Sequence, residues 1–380
     1  MKRDTQLSRA GRSHLGTRPV NAAIERASTV LAGSATELYN RPDGIPLYAR
    51  FGMEAQNALK TALCEMQSAD YCALTPSGLS AMSLATIACV KAGGHVLAAD
   101  CLYGPTRMFL EDLLPSWGVE IEFFDPRAGA GIASQIRSNT QLVFCESPGS
   151  LTFEIQDVPA IANAARKVGA KVLVDDTWSA GLNANMLDLG ADFAAQSLTK
   201  YAGGHSDVMM GAIVCRGENA KRLKLAEWRL GLCVSPDDAF LVSRGLRTLA
   251  LRMDRSAASS LDLAERLAAH SEVSEILHPA RPDHPDNEIY CRDFTAAAGV
   301  FGVQFRDWDI PRAERFLDAL EIFGLGFSWG GYESLAVHCD PQLRRSFRDG
   351  RNGILIRLAI GLEDIEDLWA DLKQAIAASA

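Results

Sequence analysis

The sequence predicts an α/β fold: a mostly parallel mixed sheet covered by helices, followed by a smaller α+β C-terminal domain. Two observations carry this expectation. From about Gly52 onward, short apolar runs bounded by polar loops alternate with helix-length stretches, as buried parallel strands joined by crossover helices do. Beyond about residue 244 the strand-like runs become sparse and helices group at the ends. A chain of 380 residues suits about two domains plus an arm. The arm is placed at 1–51, a large domain at 52–243 and a C-terminal domain at 244–380.

The arm is rich in arginine and poor in periodicity, so it is either a disordered tail or a segment ordered against a neighbouring subunit. Tyr39, Tyr48 and Phe51 favour the second, because disordered tails are poor in aromatics. Next comes a helix over 54–67, a strand over 71–74 and a second helix starting at Ser77-Gly78 and ending near Lys91. Apolar runs at 95–99, 119–124, 141–145, 171–174 and 208–215 read as further strands, with helices at 106–117 and 159–168 between them. A helical pattern over 237–255 leads into the last unit. That unit shows two strand-like runs, 299–305 and 353–360, and helices near 310–323 and 364–378.

Composition excludes several function classes. The net charge of −9 argues against nucleic acid or an anionic membrane as the main partner. No apolar run reaches the roughly 18–20 residues of a membrane span. The nine cysteines stand singly, with no CxxC pair, and an odd count suits reduced thiols in the cytosol. His270, His278 and His284 cluster in sequence without metal-ligand spacing; they are expected at the surface, and no metal site is read. Gly129-Ala130-Gly131 breaks the dinucleotide fingerprint at its third glycine, which disfavours a dehydrogenase.

The chemistry concentrates elsewhere. Asp175 ends the apolar run before Asp176-Thr177-Trp178, and Lys200 follows later in Gln196-Ser197-Leu198-Thr199-Lys200-Tyr201. An acid at the end of a strand, then a lysine behind two hydroxyls, is what pyridoxal phosphate chemistry requires. The amine forms a Schiff base with the aldehyde, the carboxylate pairs with the pyridine nitrogen, and the hydroxyls help hold the phosphate. Taken alone, Asp175 could equally cap a turn. Ser197 and Thr199 are two apart, so in extended backbone their hydroxyls share a side. Thr75-Pro76-Ser77-Gly78-Leu79 joins a strand to a helix, and its amides and dipole suit an anion, although Ser-Gly there can also be a simple cap. Tyr103 follows another strand and either stacks on a flat cofactor or packs as a turn aromatic. Arg357 lies inside the apolar strand Leu355–Ile360, where it is either a structural ion pair or a bidentate clamp for a substrate carboxylate.

Together these segments resemble the cystathionine-metabolising family of pyridoxal phosphate enzymes, from about Leu15-Gly16-Thr17 to the C-terminus. Tyr48-Ala49-Arg50, Pro76-Ser77-Gly78, Tyr103-Gly104, Asp175-Asp176-Thr177-Trp178, Ser197-Leu198-Thr199-Lys200-Tyr201, Gly204-His205-Ser206-Asp207, Ser243-Arg244-Gly245-Leu246-Arg247-Thr248-Leu249 and Arg357-Leu358-Ala359-Ile360-Gly361-Leu362-Glu363-Asp364 carry the resemblance. It implies a fold-type-I, aminotransferase-like architecture, with Lys200 bearing the cofactor, Asp175 on the pyridine nitrogen and Tyr103 stacked on the ring. Ser77, Gly78, Leu79, Ser197 and Thr199 would hold the phosphate, and Arg357 the substrate α-carboxylate. Tyr48 and Arg50 would reach the phosphate of a neighbouring subunit in a homotetramer built as a dimer of dimers, with Tyr48 also assisting proton removal.

Ser328-Trp329-Gly330-Gly331 and Glu146-Ser147-Pro148-Gly149-Ser150 resemble the β-eliminating lyase branch, which adds Ser328, Trp329 and Ser150 as substrate contacts. The implied reaction is β-elimination of L-cystathionine to L-homocysteine, pyruvate and ammonia in methionine biosynthesis, with other cysteine S-conjugates as further substrates. A γ-acting member (a γ-lyase or an O-acyl-homoserine sulfhydrylase) is the alternative. Two positions depart from the family pattern: Asp176, where asparagine is common, and Trp228, near a position where the lyases have tyrosine.

Overall fold

The structure, a computed structural model, describes residues 2–12, 17, 19–40, 46, 48–347 and 353–380. Leu15 and Gly16, where the family resemblance begins, lie outside the described residues. Seven strands build the first sheet: β1 (Tyr71–Thr75), β2 (His95–Ala99), β3 (Glu120–Phe124), β4 (Thr140–Glu146), β5 (Lys171–Asp175), β6 (Phe193–Ser197) and β7 (Gly211–Cys215). Their order is β1-β7-β6-β5-β4-β2-β3. The pairs from β6 through β5, β4 and β2 to β3 are parallel, and β7 runs antiparallel to both of its neighbours. The C-terminal ends of β1, β2, β4, β5 and β6 therefore share one side of the sheet, where ligands bind in open α/β sheets. Thr75, Glu146, Asp175 and Ser197 end four of those strands.

Helices pack against this sheet and bury most of its strands; every residue of β2 and β7 is buried. The Glu54–Gln67 helix and the His95–Ala99 strand occupy the residues the pattern predicts. The stretch 106–117 does not form one helix. It runs as an α-turn over Gly104–Met108, a π-turn over Phe109–Leu113 and a 3₁₀ turn over Leu114–Trp117. Pro115 lacks an N–H and clashes with the carbonyl four residues back, so an α-helix cannot continue through it.

The C-terminal sheet is richer than the sequence suggests. Five strands form it: β8 (Val273–Leu277), β9 (Val300–Phe305), β10 (Gly324–Leu325), β11 (Leu335–His338) and β12 (Ile354–Ala359), in the order β10-β11-β12-β9-β8. The two runs read as strands are β9 and β12 at its centre; the three shorter neighbours carry too little apolar sequence to stand out. The predicted 237–255 helix is two helices, Pro236–Leu246 and Leu249–Ala268.

Two of the three clustered histidines are not at the surface, whereas His270 is partly exposed. His278 is fully buried, its Nε2 3.2 Å from Ser260 Oγ while its Nδ1 accepts the Ala280 N–H at 3.2 Å. Burial first, and then the nearby His284 and Arg281, push its pKa down to about 3, so it is a neutral, hydrogen-bonded member of the core. His284 is also buried, and its Nδ1 accepts the Asp286 N–H.

Candidate active site

Lys200 closes a tight turn rather than continuing a strand. β6 stops at Ser197, and the Lys200 N–H donates back to Ser197 O at 3.2 Å. The expectation that Ser197 and Thr199 share an extended backbone is therefore corrected. The Thr199 hydroxyl accepts the Met210 N–H at 3.0 Å and donates to Met210 O at 3.3 Å, which ties the turn to the start of β7. Ser197 instead faces the opening of the Gly78–Cys89 helix, where a Cβ on Gly78 would lie 2.6 Å from Ser197 Cβ. Only glycine permits so close an approach. Ser77 caps this helix by accepting the Ser80 N–H at 3.1 Å, and Gly78 and Leu79 present its first amides beside Ser197.

Asp175, at the end of β5, is buried. Its Oδ1 accepts the Thr177 N–H at 3.0 Å and the Thr177 hydroxyl at 2.5 Å, while that hydroxyl accepts the Ser197 N–H at 2.9 Å. The turn-cap role and the placement toward Lys200 thus coexist. Burial raises its pKa to about 6, with the Thr177 bonds and the Lys200 charge opposing.

The Lys200 amine donates to Ser328 Oγ at 2.9 Å and lies 5.5 Å from the centre of the Trp329 ring. Its pKa falls to about 8, because burial disfavours the cation and Arg357 repels it, with Asp175 partly offsetting both. Arg357, on β12, is buried and donates from Nη2 to the carbonyls of Gly326, Phe327 and Ser328 at 3.2, 3.1 and 2.9 Å. Among the described residues no carboxylate pairs with it, and its Nε is buried without a partner. A structural ion pair with a carboxylate among the described residues therefore does not account for Arg357, and its guanidinium keeps unused donor capacity.

Tyr103 opens the Gly104–Met108 turn with its ring about half exposed, and its N–H donates to Glu146 Oε2 at 2.6 Å. Ser150 sits behind it: its N–H donates to Cys101 O at 2.9 Å and its carbonyl accepts Arg345 Nη2 at 3.0 Å. Tyr48 and Arg50 stand apart. Tyr48 bridges to Thr29, and Arg50 donates to Trp228 O at 3.1 Å. No hydrogen bond or ion pair among the described residues joins either to the Lys200 cluster. The Trp228 ring packs edge-on against Phe51 with centroids 4.8 Å apart, so this departure from the family pattern lies against the arm.

The family described as "Cys/Met metabolism PLP-dependent enzyme" matches residues 4–377. The chain belongs to that family. It is 39% identical to cystathionine beta-lyase MetC of Escherichia coli, over 99% of this chain and 98% of that protein. It is 40% identical to cystathionine beta-lyase of Bordetella avium, over 95% and 93%. The crystal structure of metB from Corynebacterium glutamicum superposes with a TM-score of 0.91 at 30% identity, covering 99% of this chain and 98% of that one. The enzyme is thus a pyridoxal-phosphate-dependent member of Cys/Met metabolism with that family's α/β architecture. Its residues fit the cofactor: a half-buried lysine with a lowered pKa, a carboxylate at a strand end, and a helix start that leaves no room for a Cβ on Gly78.

Sequence reasoning missed Glu146. It follows the apolar run of β4 as Asp175 follows that of β5, so the same strand-then-acid signal could have found it. Asp176, by contrast, points into the interior. It is buried, accepts from the Ser179 hydroxyl, and has an Oδ2 without a partner. Burial and then Asp175 push its carboxyl well above the usual range. A raised folded-state pKa means that ionisation opposes folding. The cost is small at and below about pH 4, near the unfolded-state pKa, and grows as pH rises toward the folded-state value. Asp176→Asn should therefore raise the melting temperature by a few degrees at pH 8 and change it little near pH 4, as thermal melts across that range would show.

Proposed function

We propose that the chain is a cystathionine β-lyase, which cleaves the Cβ–Sγ bond of L-cystathionine and, with water, yields L-homocysteine, pyruvate and ammonia in methionine biosynthesis. The observation that carries this is the buried Arg357 guanidinium, unpaired with any carboxylate among the described residues, beside a Lys200 amine that also faces Ser328 and Trp329. When bound, pyridoxal phosphate supplies an aldehyde for Lys200 and an electron-withdrawing ring that stabilises negative charge at Cα.

The chain's own residues do the rest. Arg357 takes the α-carboxylate, filling the bonding capacity its carbonyl partners leave over. The carbonyls of residues 326–328 hold the guanidinium in place as they accept from Nη2. Lys200 takes the Cα proton. With a pKa near 8, about one molecule in ten has a free amine at pH 7, several hundredfold more than for an ordinary lysine. Asp175, favoured as the anion by the two Thr177 bonds, would pair with the pyridine nitrogen, and Tyr103 would stack on the ring. Ser77, Gly78, Leu79 and Ser197 would ring the phosphate, while Thr199, its hydroxyl bound to Met210, would hold the Lys200 turn beside it. Ser328, Trp329 and Ser150 line the substrate, and the bulky Trp329 ring sets the angle of the bond to be broken. Cysteine S-conjugates with the same α-amino acid head fit the same contacts.

We infer further that Tyr48 and Arg50 serve a neighbouring copy's site in a homotetramer, since they lie away from the Lys200 cluster of their own chain, with Tyr48 helping to deprotonate the substrate amine. The nine free cysteines support a cytoplasmic location. Among the described residues no helix is long and apolar enough to cross a membrane.

Cystathionine should give pyruvate and homocysteine as main products, and Trp329→Leu should raise the share of 2-oxobutyrate, since a small shift of bound substrate can cost on the order of a hundredfold in rate. Quantifying both keto acids tests this; predominant 2-oxobutyrate from the wild type would favour a γ-acting enzyme. Mixing Arg50→Ala and Lys200→Ala chains should restore part of the activity if sites are shared. Mixed oligomers without activity would contradict the shared site.

A further inference from the structure

Glu146 ends β4 in direct register with Asp175 on β5. Register partners on parallel strands project to the same face, so the two carboxyls are neighbours at one end of the sheet. Glu146 Oε2 accepts the Tyr103 N–H at 2.6 Å, and the Glu146 backbone carbonyl accepts Gln156 Nε2. The titratable and charged groups around it are Asp175 from β5, Tyr103 and Cys101 from the loop after β2, Glu154 from the loop after β4, and Arg345 from the segment before residue 348. Arg345 is the one cation in that set, and it is already engaged. It donates to Asp100 O at 2.5 Å, to Ser150 O at 3.0 Å and to the Thr152 hydroxyl, and lies 4.0 Å from Glu154.

Two carboxylates side by side on adjacent strands, Asp175 buried and Glu146 part-buried, do not both ionise near neutrality. Asp175 accepts two bonds from Thr177 and faces Lys200, whereas the Glu146 carboxyl accepts one, so the negative charge settles on Asp175. We propose that Glu146 is a positioning residue that works as the uncharged acid: it fixes the Tyr103 backbone and leaves Asp175 as the single carboxylate beside the cofactor's pyridine ring. The role toward the ring rests on the cofactor assignments under Proposed function; the charge state of Glu146 does not. Burial, and then the Asp175 charge, raise the Glu146 carboxyl well above the usual range, in agreement with this geometry.

The test uses the full-length apoprotein as wild type, Glu146→Gln and Glu146→Ala. Melting temperature is followed from pH 5 to 9, and pyridoxal phosphate affinity is measured at pH 7 by fluorescence quenching. Glutamine copies the neutral acid and keeps its acceptor. Its apoprotein should melt no lower than wild type, with an advantage that grows with pH, and should bind the cofactor within about threefold of wild type. Alanine leaves the Tyr103 N–H without its acceptor and frees the backbone that carries the ring, and should bind tenfold or more weakly. A Glu146→Gln chain that melts several degrees lower at pH 7, or binds tenfold more weakly, would show that the charged form is needed and overturn the proposal. Wild-type affinity in Glu146→Ala would remove the positioning role. Failure of every form, wild type included, to bind pyridoxal phosphate would overturn the role toward the ring along with the cofactor assignments, while the melting series still decides whether Glu146 is charged.

Discussion

Confinement of the half-buried Lys200 amine beside the buried Arg357 guanidinium is the constraint on which the rest of the site depends. Two cations out of water repel each other and lose hydration, and each is tolerable only where the surrounding chain is arranged to hold it. Lys200 responds by giving up its proton more readily. Burial lowers the Arg357 pKa as well, but its guanidinium keeps its charge and donates to three successive carbonyls of residues 326–328. Asp175 supplies the nearby negative charge, and a short relay holds it: the Ser197 N–H donates to the Thr177 hydroxyl, which donates to Asp175. The ends of β5 and β6 and the Lys200 turn are locked to one another by those bonds.

The site lies on a seam between the two sheets, and the seam is built to tight tolerances. Gly330 has a φ of +81°, and a Cβ there would lie 2.9 Å from Tyr201 N, so the 328–331 segment presses directly on the Lys200 turn. The Tyr201 ring meets Trp329 edge-on at 5.4 Å, while its hydroxyl accepts the Gly299 N–H at 2.8 Å from beside β9. On the other side of the site, Asp100 takes Arg107 at 2.7 Å and the amides of Ser346 and Phe347. Carboxylate, arginine and two backbone amides thus pin the C-terminal unit to the loop that presents Tyr103.

The chemistry was legible in the sequence because its residues break local rules. An acid at the end of the run Val172–Val174, a lysine behind Ser197 and Thr199, and an arginine inside Leu355–Ile360 are each out of place in a core without a ligand. Long periodic elements such as the Glu54–Gln67 helix were legible for the opposite reason, since they obey those rules. What could not be read was set by distant partners. β6 is Phe-Ala-Ala-Gln-Ser, with no β-branched residue, and becomes a strand because β5 and β7 flank it. The Thr199 hydroxyl turns to Met210, and His278 enters the core because Ser260 and Ala280 satisfy both ring nitrogens. Glu146 carried the same signal as Asp175 and was overlooked beside it.

The central claim is that Lys200 is the amine the cofactor engages, its reactivity set by burial beside Arg357 and Asp175. Borohydride reduction of the holoenzyme, followed by peptide mapping, tests this most directly. The account predicts a single modified peptide spanning residues 197–201, with the pyridoxyl mass on Lys200. Modification of a different lysine, or cofactor that reduction leaves wholly free, would contradict it.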